Sequence, residues 1–185
     1  MMRFIYLILS IITFISCSNT VTKQKVPGLI VKTELKGCYR LPQFEGSFLI
    51  NGDSIIYFLV DFKIINKSEQ SIEFITYSCT SVENIVVNNK SVRLLANRCS
   101  GNGPMLVELK PMQSFSLPII IQTNIKNAFT NINVGWIYID KVSESIYSFH
   151  DIYKLLTKKK ANLEDVIWSD SLYLDASGGK PFEVL

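Results

Sequence analysis

Histidine is the side chain most often used as a base near neutral pH, and this 185-residue chain has one, His150. Asp151 follows it, but neighbouring positions on a helix point about 100° apart, so adjacency in sequence does not make a dyad. A glycosidase-type carboxylate pair is the other metal-free route to hydrolysis. Glu144, Glu164, Asp165 and Asp170 are its candidates. They lie in polar connections, and nothing in their spacing fixes two of them across a cleft. No G-x-S-x-G elbow, H-E-x-x-H pair or Walker loop occurs. Trp136 and Trp168 fall on alternating apolar faces, where core packing is the expected role rather than a ligand platform. Lys158, Lys159 and Lys160 read as a solvated helix end that complements the helix dipole or lies against anionic headgroups. The expectation is a protein without catalytic residues, cofactor or metal: not an enzyme.

The cysteines carry more information. Arg3 is followed by an apolar run, Phe4 to Ile15, too short for the roughly 20 residues of a membrane-spanning helix but suited to a signal peptide. The run ends Phe14-Ile15-Ser16-Cys17 and continues into the polar Ser18-Asn19-Thr20. Apolar residues, a small residue and then cysteine resemble a bacterial lipobox, with Phe where Leu is commonest. The resemblance implies removal of residues 1–16 and attachment of lipid at Cys17, the alternative being a plain secretory signal. Acyl chains each add about 0.8 kcal/mol per buried CH₂, so two or three hold a protein on a membrane. Residues 17–27 then read as a tether, and the absence of acids before Glu34 leans towards a periplasm-facing anchor.

Export implies an oxidising compartment, where Cys38, Cys79 and Cys99 would give one disulfide and one leftover thiol. Two short β-type runs, Ile85–Val87 and Ser91–Leu95, flank Asn88-Asn89-Lys90, and a hairpin there would bring Cys79 and Cys99 face to face. That favours a Cys79–Cys99 disulfide, with Cys38 a lone thiol in an early loop. The competing reading makes all three small buried hydrophobes. No CxxC and no zinc spacing occurs.

The rest of the chain is the scaffold that must position these groups. It is 48% apolar, 11% aromatic and 19% charged, enough for a core and too aromatic for wholesale disorder. A net charge of +3 without a basic patch gives no sign of nucleic-acid binding. Period-two alternation recurs: Leu29 to Leu35, Ile56 to Ile64 on even positions, Ile72 to Tyr77, and Met105 to Leu109. It resumes in Phe115 to Ile121, Ile132 to Tyr138, and Val166 to Leu174. Phe48-Leu49-Ile50 with Asn51-Gly52 predicts a hairpin leading into the Ile56 strand. The Phe149, Ile152, Tyr153, Leu156 stripe predicts one helix, started by Ser148 and Asp151, in the connection before the last strand. It would cover an end or edge of the sheets. The expected class is all-β, a sandwich or barrel of eight to ten strands. The domain is expected over residues 28–176, with a loose tail over 177–185.

Asn66-Lys67-Ser68, the Ile72-Glu73-Phe74 strand, Cys79, Cys99, Asn102, Pro104 and Leu109-Lys110-Pro111-Met112-Gln113-Ser114 together resemble bacterial immunoglobulin-like domains. Such domains place N-x-S and L-x-P-x-x-S corners before strands. The chain is similar in character to Ig-like lipoproteins of Bacteroidota and, more distantly, to the BsuPI-type proteinase-inhibitor sandwich. The resemblance implies an Ig-like β-sandwich in the bacterial cell envelope, membrane-anchored through lipid, binding a protein partner or serving a structural role. The alternative is an inhibitor or immunity-type protein that caps a secreted enzyme.

Overall fold

The computed structural model describes residues 26–40, 55–95, 103–140, 149–178 and 180–181. Within them the alternating runs form twelve strands and one α-helix. The first layer is a five-stranded sheet. Its strands are β1 (Leu29–Arg40), β2 (Ile55–Asn66), β5 (Val92–Leu95), β7 (Ser114–Asn124) and β12 (Lys180–Pro181), in the order β12-β1-β2-β7-β5. The second layer is made of shorter ribbons. β3 (Ile72–Tyr77) pairs with β6 (Pro104–Leu109), and β8 (Phe129–Ile132) with β11 (Leu172–Asp175). β9 (Val134–Ile137) lies between β4 (Ile85–Val87) and β10 (Val166–Trp168). Helix α1 (Phe149–Asn162) connects β9 to β10. The fold is an all-β sandwich with one inserted helix.

β2 shows why these residues form strands. Its burial alternates without a break, and Ile56, Phe58, Val60, Phe62 and Ile64 are wholly buried, as the period-two pattern requires. They face the inward side chains of the second layer around Trp136, whose ring centroid lies 6.1 Å from Phe62, 5.5 Å from Phe74 and 6.2 Å from Phe115. Such aromatic pairs contribute about 0.5–1.5 kcal/mol each beyond their burial. The Trp136 indole N–H is buried without a hydrogen-bond acceptor among the described residues. Ring packing at the centre of the core offsets that loss. The layers are joined at one side by a bridge between Val31 and Ser169.

The two turn motifs singled out in the sequence clasp each other. Asn66 is fully buried, and its Nδ2 donates to Gln70 O at 2.7 Å and to Leu109 O at 2.8 Å. Its Oδ1 accepts from the Ser68 N–H and hydroxyl. Its backbone N–H donates to Gln113 O, its carbonyl accepts from Met112 N–H, and Lys67 N–H donates to Gly28 O. Every hydrogen-bonding valence of the Asn66 amide is thus filled. Gly28 has φ of 85°, and a Cβ there would lie 2.7 Å from Ser68 Cβ, so only glycine fits beneath this corner. Across the clasp, Pro111 and Met112 occupy a turn closed by Gln113 N–H to Lys110 O, with Met112 at φ 63°.

Several expectations are corrected. Residues 41–54, with the Asn51-Gly52 turn, lie outside the described residues. Both edges of β2 are nevertheless taken, by β1 from Leu29↔Asn66 to Arg40↔Ile56 and by β7 from Ile65↔Ser114 to Ile55↔Asn124. The expected Phe48–Ile50 hairpin lies outside the described residues as well. Ile85–Val87 and the Val92 strand do not form a hairpin. β4 pairs with β9 in one layer and β5 with β7 in the other, so Asn88-Asn89 is a corner between sheets. Reciprocal bonds between Asn88 and Asn133 pin it there.

Cys38 is in β1 rather than a loop. A bulge between Leu35 and Gly37 shifts the alternation so that Cys38 faces the core opposite Phe58. The last alternating run is two strands, parted around Ser169, and Ile167 rather than Val166 or Trp168 points into the main core. Lys180 and Pro181, in the segment expected to be loose, pair parallel with Tyr39 and Arg40. The helix covers a sheet face rather than an edge, because Ile137 and Ile139 on the far side of β9 and its extension need burial against Ile152 and Leu156. Tyr153 is turned out, 53% exposed, and Lys159 takes its place in the buried stripe.

Candidate functional site

On β3 the even positions Phe74 and Thr76 point into the sandwich, and Glu73 and Ile75 belong to the other face. β6 runs antiparallel in the register Ile72↔Leu109 and Glu73↔Glu108, so two carboxylate residues stand directly opposite each other. The chain beyond β9 passes the same place. Ile75 N–H donates to Ile139 O at 3.0 Å, which brings Tyr138 and Asp140 alongside. The Tyr138 hydroxyl donates to Glu73 O at 2.8 Å. With Val26, Ser71 and Ile72, these groups line a cleft of about 370 Å³.

The described lining of the cleft is acidic. It includes Glu73, Glu108 and Asp140 and no lysine or arginine. Burial, and then the charges of Asp140 and Glu73, push the Tyr138 phenol up to about 12. It stays protonated as a donor at any ordinary pH. Three carboxylates beside a fixed phenol can accept the N–H groups of an ammonium or guanidinium. Among the described residues no three His, Cys, Asp or Glu side chains converge as a metal ion would require.

The sequence candidates do not meet at this cleft. His150 and Asp151 are exposed in the first turn of α1. A helix of this length runs about 20 Å, and Asp165 lies beyond its far end. There Asp165 is ion-paired to Lys159, with side-chain exposures of 14% and 7%. Lys160 pairs with Glu83 at 2.9 Å. Of the three lysines expected to be solvated, Lys158 alone is exposed. Glu164 is exposed and accepts from Asn162 Nδ2, and Asp170 is exposed. Glu144 lies outside the described residues. Trp136 is core, and Trp168 lies across Gly135, where a Cβ would come within 2.8 Å of its Cε3. Both tryptophans pack rather than display their rings. Cys79 is disulfide-bonded and Cys38 is not. Cys17 and Cys99 lie outside the described residues.

Glu73, Glu108, Tyr138 and Asp140 were missed as a set by the sequence reading. Alternation sets Glu108 on the polar side of its strand and reads Ile72–Tyr77 as a strand without giving Glu73 a face. Only the β3–β6 pairing, which sets Glu73 against Glu108, puts them together.

Among the described residues no helix is long and apolar enough to cross a membrane. No protein-family model matches the chain, and no curated relative does. Among solved structures it has a distant likeness to a FixG-related protein from Vibrio parahaemolyticus. The TM-score is 0.30 and the identity 17%, over 66% of this chain and 92% of that one.

Proposed function

We propose that this chain is an envelope lipoprotein, anchored by acyl chains on Cys17 and facing the periplasm. Its Ig-like sandwich acts as a non-catalytic module that binds a cationic group of a protein partner in the Glu73–Glu108 cleft. One observation carries the binding reading. The β3–β6 register sets Glu73 opposite Glu108, and Asp140 and the Tyr138 hydroxyl stand beside them in the same cleft, so several acceptors converge on one place. A cationic partner group would meet charge-assisted acceptors from more than one strand there. The joining of the N-x-S and L-x-P-x-x-S corners supports the Ig-like reading, and the lipobox-like Ser16-Cys17 supports the anchor.

The test uses the mature chain as bait in the native envelope. A Glu73→Gln/Glu108→Gln variant should lose the captured partner while keeping the parent's fold by circular dichroism. Undiminished capture would sink the cleft as the contact. His150→Ala should leave any envelope phenotype intact, and a His150→Ala strain that mimics the deletion would overturn the non-catalytic reading. Metabolic labelling with an alkyne fatty acid should disappear in Cys17→Ala.

We also propose Cys99 as the partner of Cys79, for a reason other than the hairpin. The β3–β6 ladder ends with Ser78 N–H donating to Gly103 O at 2.9 Å and Gly103 N–H to Ser78 Oγ at 3.1 Å. Cys99 is four residues from Gly103, a reach of at most about 14 Å. Mass mapping under non-reducing conditions should return one peptide pair containing Cys79 and Cys99. A Cys17 linkage would refute the assignment.

A further inference from the structure

We propose that α1 is a reversible cover: it lifts as a unit from the second layer while the sandwich stays folded, baring an apolar sheet face. The inference is independent of what the cleft binds. It rests first on how the apolar residues are grouped. Among the described residues the buried hydrophobic side chains form two separate clusters, 22 residues between the layers and six at the helix–sheet contact. Ile152 and Leu156 come from the helix, and Tyr77, Val86, Ile137 and Ile139 from the chain under it. A region held by few apolar contacts opens at a lower free energy than the main core.

The topology permits the motion. β9 and β10, the strands that flank α1 in sequence, pair directly through Ile137↔Val166, Trp136↔Ile167 and Gly135↔Trp168. The ladder closes under the helix, so lifting α1 breaks none of these rungs.

The C-terminal end of the helix is fastened by polar groups. Lys159 meets Asp165 in a nearly buried pair, and Lys160 meets Glu83. Between helix and β10 the chain turns through Leu163 and Asp165, both left-handed at φ 52° and 54°. Glu164 N–H donates back to Lys159 O at 3.0 Å, which closes the helix end. Two non-glycine residues in that region make a strained turn, held in place by the Lys159–Asp165 pair. Nearer the helix start, Ile152 is buried against the same face. The face bared by opening, Tyr77, Val86, Ile137 and Ile139, is closed to water while the pair holds.

Native-state hydrogen exchange on the full chain tests this. The amides of Leu155 to Ala161 should share one opening equilibrium, at least about 30-fold more frequent than that of the β2 and β7 amides. Lys159→Ala breaks the nearly buried ion pair with Asp165 and should raise α1 opening by about 100-fold or more, with β2 and β7 unchanged. Lys160→Ala, which removes a half-exposed pair and threatens the fold less, should act in the same direction by less than about tenfold. Exchange of α1 only together with β2 and β7 would overturn the proposal. So would an equal loss of protection across the whole sandwich in either variant.

Discussion

Replacing Asn66 by alanine should be among the most damaging single changes in the first layer, although it removes only an amide. The side chain donates to Leu109 O and Gln70 O and accepts from the Ser68 N–H and hydroxyl. Gln70 O keeps a second donor, the Ser68 hydroxyl at 2.8 Å, so the groups that suffer are the buried Leu109 carbonyl and the Ser68 N–H. Each unsatisfied buried group costs about 1–3 kcal/mol. The small cavity left by the amide adds to this, and a loss of about 3–5 kcal/mol is expected. In a domain of this size that corresponds to a fall in melting temperature of very roughly 6–20 °C. Urea unfolding followed by two probes would measure it, with an unchanged m-value showing that the comparison is two-state. Asn66→Asp sharpens the test, because its carboxylate would face two carbonyl oxygens. Its pKa would rise on folding, so the folded state would hold the proton more tightly, and the variant should gain stability relative to wild type as pH falls. A loss under about 1 kcal/mol for Asn66→Ala, or an Asn66→Asp deficit that does not ease on acidification, would show that the clasp is incidental.

Met112 and Leu163 are 64% and 50% exposed at positive φ, so Met112→Gly and Leu163→Gly should each stabilise the protein by about 0.5–1 kcal/mol in the same urea assay. Gly135→Ala should destabilise by about 1–3 kcal/mol, since the new Cβ meets Val166 and Trp168, and Gly135→Ala/Trp168→Leu should recover some of the loss. The Tyr77 and Tyr138 phenols are raised to about 12, chiefly by burial. The folded state therefore keeps protons that the unfolded chain releases near pH 10, and stability present below pH 10 should be lost as pH rises through about 12. Alkaline titration of tyrosine absorbance should show a late component that shrinks in Tyr138→Phe.

What was legible in the sequence is what local physics controls. The inward residues of β2 and β7 followed from alternation alone, because each strand lies flat against a single core. The helix was legible from its stripe, though Lys159 was not recognised within it. A lysine enters a buried face only when a partner such as Asp165 neutralises it, and that partner comes from the turn after the helix. Trp136 and Ile137 show a second limit. β9 is covered on both faces, by the first layer and by α1, so all its residues are buried and alternation cannot say which side is which. Pairing was the least legible property. Asn88-Asn89-Lys90 has the chemistry of a hairpin turn, yet its flanking strands find better neighbours in opposite layers. The cleft is hidden for the same reason. Glu73 and Glu108 are ordinary exposed-side acids until the long-range register sets them opposite one another.

The corner around Gly28 also has a mechanical consequence. A strand is easiest to peel from a sheet at its free end, where one rung breaks at a time. β1 begins at Leu29, and the chain ahead of it arrives through Val26, so any pull from that side is felt there first. The first bond in its path is Lys67 N–H to Gly28 O, with Ser68 packed against the glycine. Behind it stands Asn66, which is tied to Leu109 and Gln113 of a different turn. To unzip β1 from this end, a force must first pull apart a pair of turns that hold each other. The load is shared between β1, β2, β6 and β7 before the first rung of the ladder gives way.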